Sequence, residues 1–174
     1  MIGPPVCYTG ATMKLPVVPW YEEGLSFQCT QCGNCCTGGP GYVWISDVEI
    51  DRFSTHLKMD RDAFIKKFCR VIGDQISLKE RKNLRGEYDC VFLEEIDIDE
   101  GGKIRRQRVC TAYEVRPLQC RTWPFWDGNL ASPAAWKRAG KMCPGIDRGR
   151  HYTRERIEAL RDAPDWPDAP PSSK

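Results

Sequence analysis

From Ser46 onward, apolar and polar positions recur at two different periods, and the change of period divides the chain. Ser46-Asp47-Val48-Glu49 reads as a capping box, and Ile50, Phe53 and Leu57 follow it at helical spacing, so a helix is expected over about 47–57. Phe64, Ile65, Phe68 and Ile72 after Asp60 predict a second amphipathic helix, making an α-hairpin with the first. The period then drops to two. Ile76-Ser77-Leu78 and the run from Tyr88 to Leu93 read as short strands, Asp99-Glu100-Gly101-Gly102 as a turn, and Lys103 to Val109 as a polar strand. Together they predict a β-hairpin with Cys90 and Cys110 near its outer ends, which antiparallel pairing would draw together. Ser132 as N-cap, with Pro133 at the first helical position, starts a short helix through Trp136 and Lys137. Thr153 to Arg161 predicts a last helix over Ile157 and Leu160.

The flanks have no such periodicity. Residues 1–24 carry Pro4, Pro5, Pro16 and Pro19 and read as an extended segment laid over the domain, anchored by Trp20 and Tyr21. The tail from Ala163, APDWPDAPPSSK, is Pro-rich and expected to be loose, leaving 25–162 as one domain and 163–174 outside it. A chain of 174 residues with 41% hydrophobic content suffices for one core. The expected fold is a small, irregular, cysteine-rich α+β domain stabilised by metal, with short helices and a β-hairpin.

Charge narrows the function classes. Lys and Arg total 26 against 24 Asp and Glu, a formal +2, so no single-sign field argues for nucleic acid or an anionic membrane as partner. No apolar run is long enough to span a bilayer, and MIGPPVCYTGATMKLPVVPWY has neither a basic n-region nor a continuous apolar h-region. A cytoplasmic protein is expected, with Cys7 a bystander.

Ten cysteines stand out, and in a reducing cytosol clustered thiols hold metal more readily than disulfides. Residues 27–36 read FQCTQCGNCC, four cysteines in eight positions. Cys29-x2-Cys32-Gly33 has the spacing of a metal knuckle, in which glycine accepts the left-handed backbone of the turn. Adding Cys35 gives Cys-x2-Cys-x2-Cys, which wraps corners of an iron–sulfur cluster in bacterial ferredoxins, and Cys143-Pro144 offers the remote Cys-Pro partner. Side chains of adjacent residues are expected to diverge, sending Cys36 away from Cys35 to a second ion, a second cluster or a pocket. Cys90, Cys110 and Cys120, with Cys143, form a further set that a compact fold could converge on the first. Cys69 falls four residues after Ile65 on the apolar helix face, which points to core packing, with a ninth ligand as the alternative.

The string F-x-C-x-x-C-G-x-C-C from Phe27, then Asp89-Cys90 and Phe92-Leu93, then Cys110, Tyr113, Arg116-Pro117, Cys120-Arg121 and Pro124-Phe125, and finally Cys143-Pro144-Gly145, resembles the YkgJ-type cysteine-cluster proteins, a zinc- or iron-chelating domain. The resemblance implies metal at Cys29, Cys32, Cys35, Cys36, Cys90, Cys110, Cys120 and Cys143. Some members carry the name flagellin lysine methylase, but no glycine-rich strand-to-helix loop for a methyl donor and no C-x3-C-x2-C radical loop is present here. No catalytic constellation is visible. His56 and His151 have no local partners and read as surface residues, and Glu94, Glu95, Asp97 and Asp99 as a solvated hairpin edge.

Arg116 and Arg121 beside Cys120, near Trp123, Phe125 and Trp126, read equally as charge partners of a polythiolate centre and as an Arg–aromatic packing cluster. Two cofactors compete: an iron–sulfur cluster for redox or metal-handling use, favoured by the ferredoxin-like spacing, and structural zinc in an interaction module, favoured by the knuckle. A protein or redox partner is expected in either case.

Overall fold

The capping box closes as its residues require. In the computed structural model, which describes residues 18–163, strands β1 (Leu25–Phe27) and β2 (Thr37–Gly38) bracket the cysteine-rich stretch, and helix α1 (Asp47–Leu57) follows. The Ser46 hydroxyl accepts from the Glu49 N–H while the Glu49 carboxylate accepts from the Ser46 N–H, so two orphan donors are satisfied reciprocally. Asp60 caps α2 (Arg61–Phe68) by accepting from the N–H groups of Asp62 and Ala63. The two helices pack through Phe53 and Phe64, both fully buried, with ring centroids 5.3 Å apart.

Helix α2 stops sooner than the apolar spacing suggests. Ile72 lies in strand β3 (Cys69–Ile72), paired antiparallel with β4 (Gln75–Leu78) across Gly73 and Asp74. Gly73 has φ 62°, the left-handed conformation such two-residue turns demand, and Val71-Ile72 is a β-branched pair that gains little from a helix.

The strand expected over 88–93 also breaks. β6 (Tyr88–Cys90) is the centre of a three-stranded sheet, between β2 and β5 (Glu80–Lys82), whereas Leu93 opens β7 (Leu93–Asp99) in another sheet with β8 (Ile104–Cys110). The cause is burial. Phe92 and Leu93 are both buried, but consecutive residues of one strand face opposite ways, so the chain turns at Val91-Phe92 to put both inside. The hairpin itself is a mostly exposed ribbon on which Arg106 pairs with Glu95 and Asp97.

Short helices α3 (Leu118–Thr122), α4 (Asp127–Leu130) and α5 (Pro133–Met142) follow, the last capped by Ser132 with Pro133 in its first turn. β9 (Arg150–Tyr152) pairs with β1, and α6 (Arg154–Arg161), capped by Thr153, buries Ile157 completely. The fold is a mixed α+β arrangement of short helices and small antiparallel sheets. Trp20 donates from Nε1 to Leu130 O at 2.7 Å and Tyr21 is buried beside Phe125 and Trp136. Cys7, most of the N-terminal segment and nearly all of the tail lie outside the described residues. No helix among the described residues is long and apolar enough to cross a membrane.

The apolar residues form two clusters. One gathers Tyr21, Phe27, Phe125, Trp136 and Ile157; the other gathers Ile50, Phe53, Phe64, Phe92 and Val115. Glu49, 3% exposed, joins the second cluster to α3, for its Oε1 accepts from the Leu118 N–H at 2.6 Å and lies 3.5 Å from the Arg121 guanidinium. Glu49→Ala therefore loses a reciprocal cap and strands the Leu118 N–H. We expect a loss of about 2–4 kcal/mol in urea unfolding. Glu49→Gln keeps an acceptor oxygen and should lose clearly less; equal losses for the two would show that the carboxylate oxygens are not what joins α1 to α3.

Candidate metal centre

The cysteine-rich stretch is held by its neighbours rather than by regular structure. Gly33 adopts φ 73°, and a Cβ there would come within 2.8 Å of Leu93 Cδ1, so both backbone and space demand glycine. A 3₁₀ turn over Asn34–Cys36 follows. Asn34 clamps it, donating from Nδ2 to Met142 O at 2.7 Å and accepting the Arg108 guanidinium at Oδ1. Ahead of Cys29, the Gln28 N–H donates to Gly145 O at 3.0 Å. The two segments approach so closely there that a Cβ on Gly145 would lie 1.9 Å from Gln28 O. Cys143-Pro144-Gly145 is thereby fixed beside the Cys29 loop.

The other cysteines arrive from separate elements. Cys90 ends β6, Cys110 ends β8, Cys120 lies in α3, and Cys143 is the C-cap of α5. These four line one cavity of about 460 Å³ together with Cys29, Cys32, Cys35 and Cys36. Its apolar walls come from both clusters, Phe27 and Ala139 from one, Phe53 and Phe92 from the other. Cys69 is elsewhere, buried in the second cluster among apolar neighbours, and burial pushes its thiol up to about 11. None of the nine described cysteines is in a disulfide.

Two geometric expectations change. Cys35 and Cys36 do not diverge: their sulfurs are 3.8 Å apart and both face the cavity. In an extended strand neighbours point oppositely, but the tight 3₁₀ turn brings both to one side. Cys90 is also not at an end of the β7–β8 ribbon, where Leu93 pairs with Cys110; it reaches the cavity from the neighbouring sheet.

The electrostatics follow from crowding and desolvation. The sulfur–sulfur hydrogen bond with Cys36 lowers the Cys35 thiol to about 7, and the same bond, with burial, pushes Cys36 up. Burial pushes Cys90 up to about 11, and it raises Cys110 and, still more, Cys120, with the neighbouring thiols adding. Bare thiolates are thus disfavoured at Cys36, Cys90, Cys110 and Cys120, and a metal cation is the partner that would hold them ionised.

Arg116 stacks 3.7 Å from the Tyr113 ring and favours ionisation of Cys35, Cys110 and Cys120, so it combines packing with charge offset. Its Nε is buried without a hydrogen-bond partner. Arg121, by contrast, turns to Glu49. Trp123 donates from Nε1 to Cys143 Sγ at 3.4 Å. Asn34, Glu49, Tyr113 and this indole contribute to the site without standing out in the sequence as metal residues; the one local signal was the capping box, which accounts for only half of what Glu49 does.

Among the described residues no Asp, Glu or His lines the cavity, and His56 and His151 are exposed. Sulfur is the dominant donor, beside a few neutral hydroxyl and amide oxygens, which suits zinc, cuprous copper or iron–sulfur chemistry better than hard cations. Among the described residues no three such donors close on the position of a single ion. The thiols ring a larger space instead.

Sulfur donors gathered on one cavity define a chelating domain for soft metals. The chain belongs to the CxxCxxCC family, described as "Putative zinc- or iron-chelating domain", which matches residues 28–144. It is also similar to "Uncharacterized protein MJ0661" of Methanocaldococcus jannaschii, 27% identical over 105 residues that cover 60% of this chain and 48% of that protein. The chain thus spans about half the length of that relative. No solved structure matches.

Cys69 separates packing from ligation. Cys69→Ala should leave bound metal per chain unchanged while lowering unfolding stability by about 1 kcal/mol. Metal analysis showing a drop in content would make Cys69 a ligand.

Proposed function

We propose that this chain holds an iron–sulfur centre on its cavity thiols and uses it in electron transfer or metal handling with a protein partner. The observation that carries this reading is the convergence of eight thiols, with no Asp, Glu or His among the described residues that line it, on a cavity wider than one ion needs. Cys29, Cys32, Cys35, Cys36, Cys90, Cys110, Cys120 and Cys143 would hold the metal. A bound cluster supplies one-electron chemistry at a potential set by the charges and hydrogen bonds around its sulfurs. The chain contributes those surroundings. Arg116 offsets thiolate charge, the Trp123 N–H bonds one sulfur, and the two apolar clusters supply apolar walls on the inner side of the cavity. Cys29 and Cys35 are exposed, which leaves the centre within reach of a docking partner.

The zinc alternative draws on the Cys29-x2-Cys32-Gly33 knuckle and its left-handed glycine. The lysine-methylase alternative finds less support, because among the described residues no carboxylate or imidazole lines the cavity to take a proton from a lysine ammonium.

Anaerobic purification followed by an absorption spectrum and by iron, zinc and sulfide analysis tests the reading. A brown protein with matching iron and sulfide is expected, and a colourless protein with zinc and no sulfide would sink it. Cys29→Ser, Cys32→Ser or Cys120→Ser should lower bound metal and soluble yield, with Cys7→Ser changing neither. Removal of metal should lower the melting temperature steeply, since binding at such a site is part of the folding free energy. A melting curve indifferent to complete metal loss would make the thiols packing residues.

A further inference from the structure

A formal charge of +2 over the whole chain hides a sorting of charge on its surface. From Ser132 to Arg150 the sequence carries Lys137, Arg138, Lys141, Arg148 and Arg150 against a single acid, Asp147. That acid is already engaged, for its Oδ1 accepts from the Trp136 Nε1–H at 2.8 Å. Arg150 stacks over the Tyr152 ring. The other four cations are exposed, and among the described residues none of them takes part in an ion pair or a side-chain hydrogen bond. By contrast Arg61, Arg70, Arg106, Arg154 and Arg161 each meet a carboxylate.

The four free cations stand around the mouth of the cavity. On α5, residues 137, 138 and 141 fall on the side opposite the buried Ala135, Trp136 and Ala139. Arg138 and, one turn on, Met142 line the cavity itself. Met142 is 60% exposed, and its carbonyl accepts from Asn34 at 2.7 Å, which lays the end of α5 against the 3₁₀ turn that carries Cys35. Arg148 approaches from beyond Cys143. The Asp147 N–H donates to Ser26 O at 2.9 Å, and a Cβ on Gly149 would meet Gln28 Cβ at 2.3 Å, so this loop lies against residues 26–28, just ahead of Cys29. The exposed Cys29 and Cys35 therefore have cations and one exposed methionine beside them.

We propose that this face, Lys137, Arg138, Lys141 and Arg148 around Met142, is the docking surface for an acidic protein of the kind that carries single electrons. Free cations around an opening attract an acidic surface, repel a basic one and speed the encounter. Met142 supplies the apolar contact inside the charged rim, and methionine and arginine are both enriched in protein interfaces. A single-stranded nucleic acid would be held by exposed rings on which its bases stack, and the one aromatic side chain of α5, Trp136, is buried. The inference rests on the proposed electron-transfer reading only for the class of partner; the sign of the partner's charge follows from the face itself.

The test is calorimetric binding of the full-length protein to an acidic plant-type ferredoxin at about 20 and about 200 mM salt, with a basic cytochrome c as control. Binding is expected with a Kd in roughly the micromolar range at the lower salt and about tenfold weaker at the higher. The triple variant Lys137→Glu, Arg138→Glu, Lys141→Glu should weaken binding by about tenfold or more at the lower salt while keeping the wild-type metal content and melting temperature. Lys103→Glu, at the turn end of the β7–β8 ribbon away from Cys110, should change it by less than about twofold. Should the triple variant prove insoluble, Arg148→Glu on the separate loop decides, with an expected loss of about threefold. No binding at the lower salt, equal binding by wild type and charge-reversed variants, or equal binding of the cytochrome overturns the proposal. Tighter binding of single-stranded RNA or of anionic vesicles, lost on the same substitutions, would give the face to a nucleic acid or a membrane and overturn it too. So would self-association, seen by sedimentation and lost on those substitutions, which would give the face to a second copy of the chain. A protein without iron or sulfide that still binds the ferredoxin through these residues would end the iron–sulfur reading and leave the docking surface standing.

Discussion

Between the two apolar clusters lies a space that neither fills, and its walls are thiols. The cavity, of about 460 Å³, opens to solvent past the exposed Cys29 and Cys35. It must hold water or something better. Water between desolvated thiols would leave the two halves free to part, whereas a metal that drew ligands from β6, β8, α3, α5 and the 28–36 loop would join both clusters at one point. The short helices and the two- and three-stranded sheets elsewhere would then need only to present sulfur at the right places. The hydrogen bonds of Glu49, Asn34 and Gln28 are the local version of the same task, each fixing a cysteine-bearing segment to the rest of the chain.

What could be read directly from the sequence was local. Ser46, Ser132 and Thr153 each accept from an N–H three residues on, and all three helices start where those residues predict. The eight cysteines singled out by spacing and resemblance all face the cavity, and Cys69, four residues after Ile65, packs in the core. Their chemical softness was legible for the same reason, since it belongs to the residue type.

What could not be read depends on partners far along the chain. Nothing near Glu49 announces that its second oxygen serves Leu118, 69 residues away, and nothing near Trp123 announces a bond to Cys143. The break after Cys90 arises because Phe92 and Leu93 must both be buried against elements that their own neighbourhood does not contain. Ile72 kept helical spacing with Phe68 but was drawn into a hairpin by Gly73. Cys35 and Cys36 misled by assumption: the divergence of neighbours holds for strands, and the chain there is a 3₁₀ turn.

Among the described residues no third strand pairs with the β7–β8 ribbon, and its two strands carry opposite signs. Glu94, Glu95, Asp97 and Asp99 lie along one strand, and Arg105, Arg106 and Arg108 along the other. When two molecules meet like edge to like edge, acid faces acid or base faces base, and the pairing that would close a dimer is repelled. Unlike edges attract, and such a head-to-tail contact builds a ring where its rotation closes and an open array where it does not. Ionic strength acts on both arrangements at once: it weakens the repulsion and the attraction alike, so the ribbon's stickiness is set by the solvent as much as by the chain.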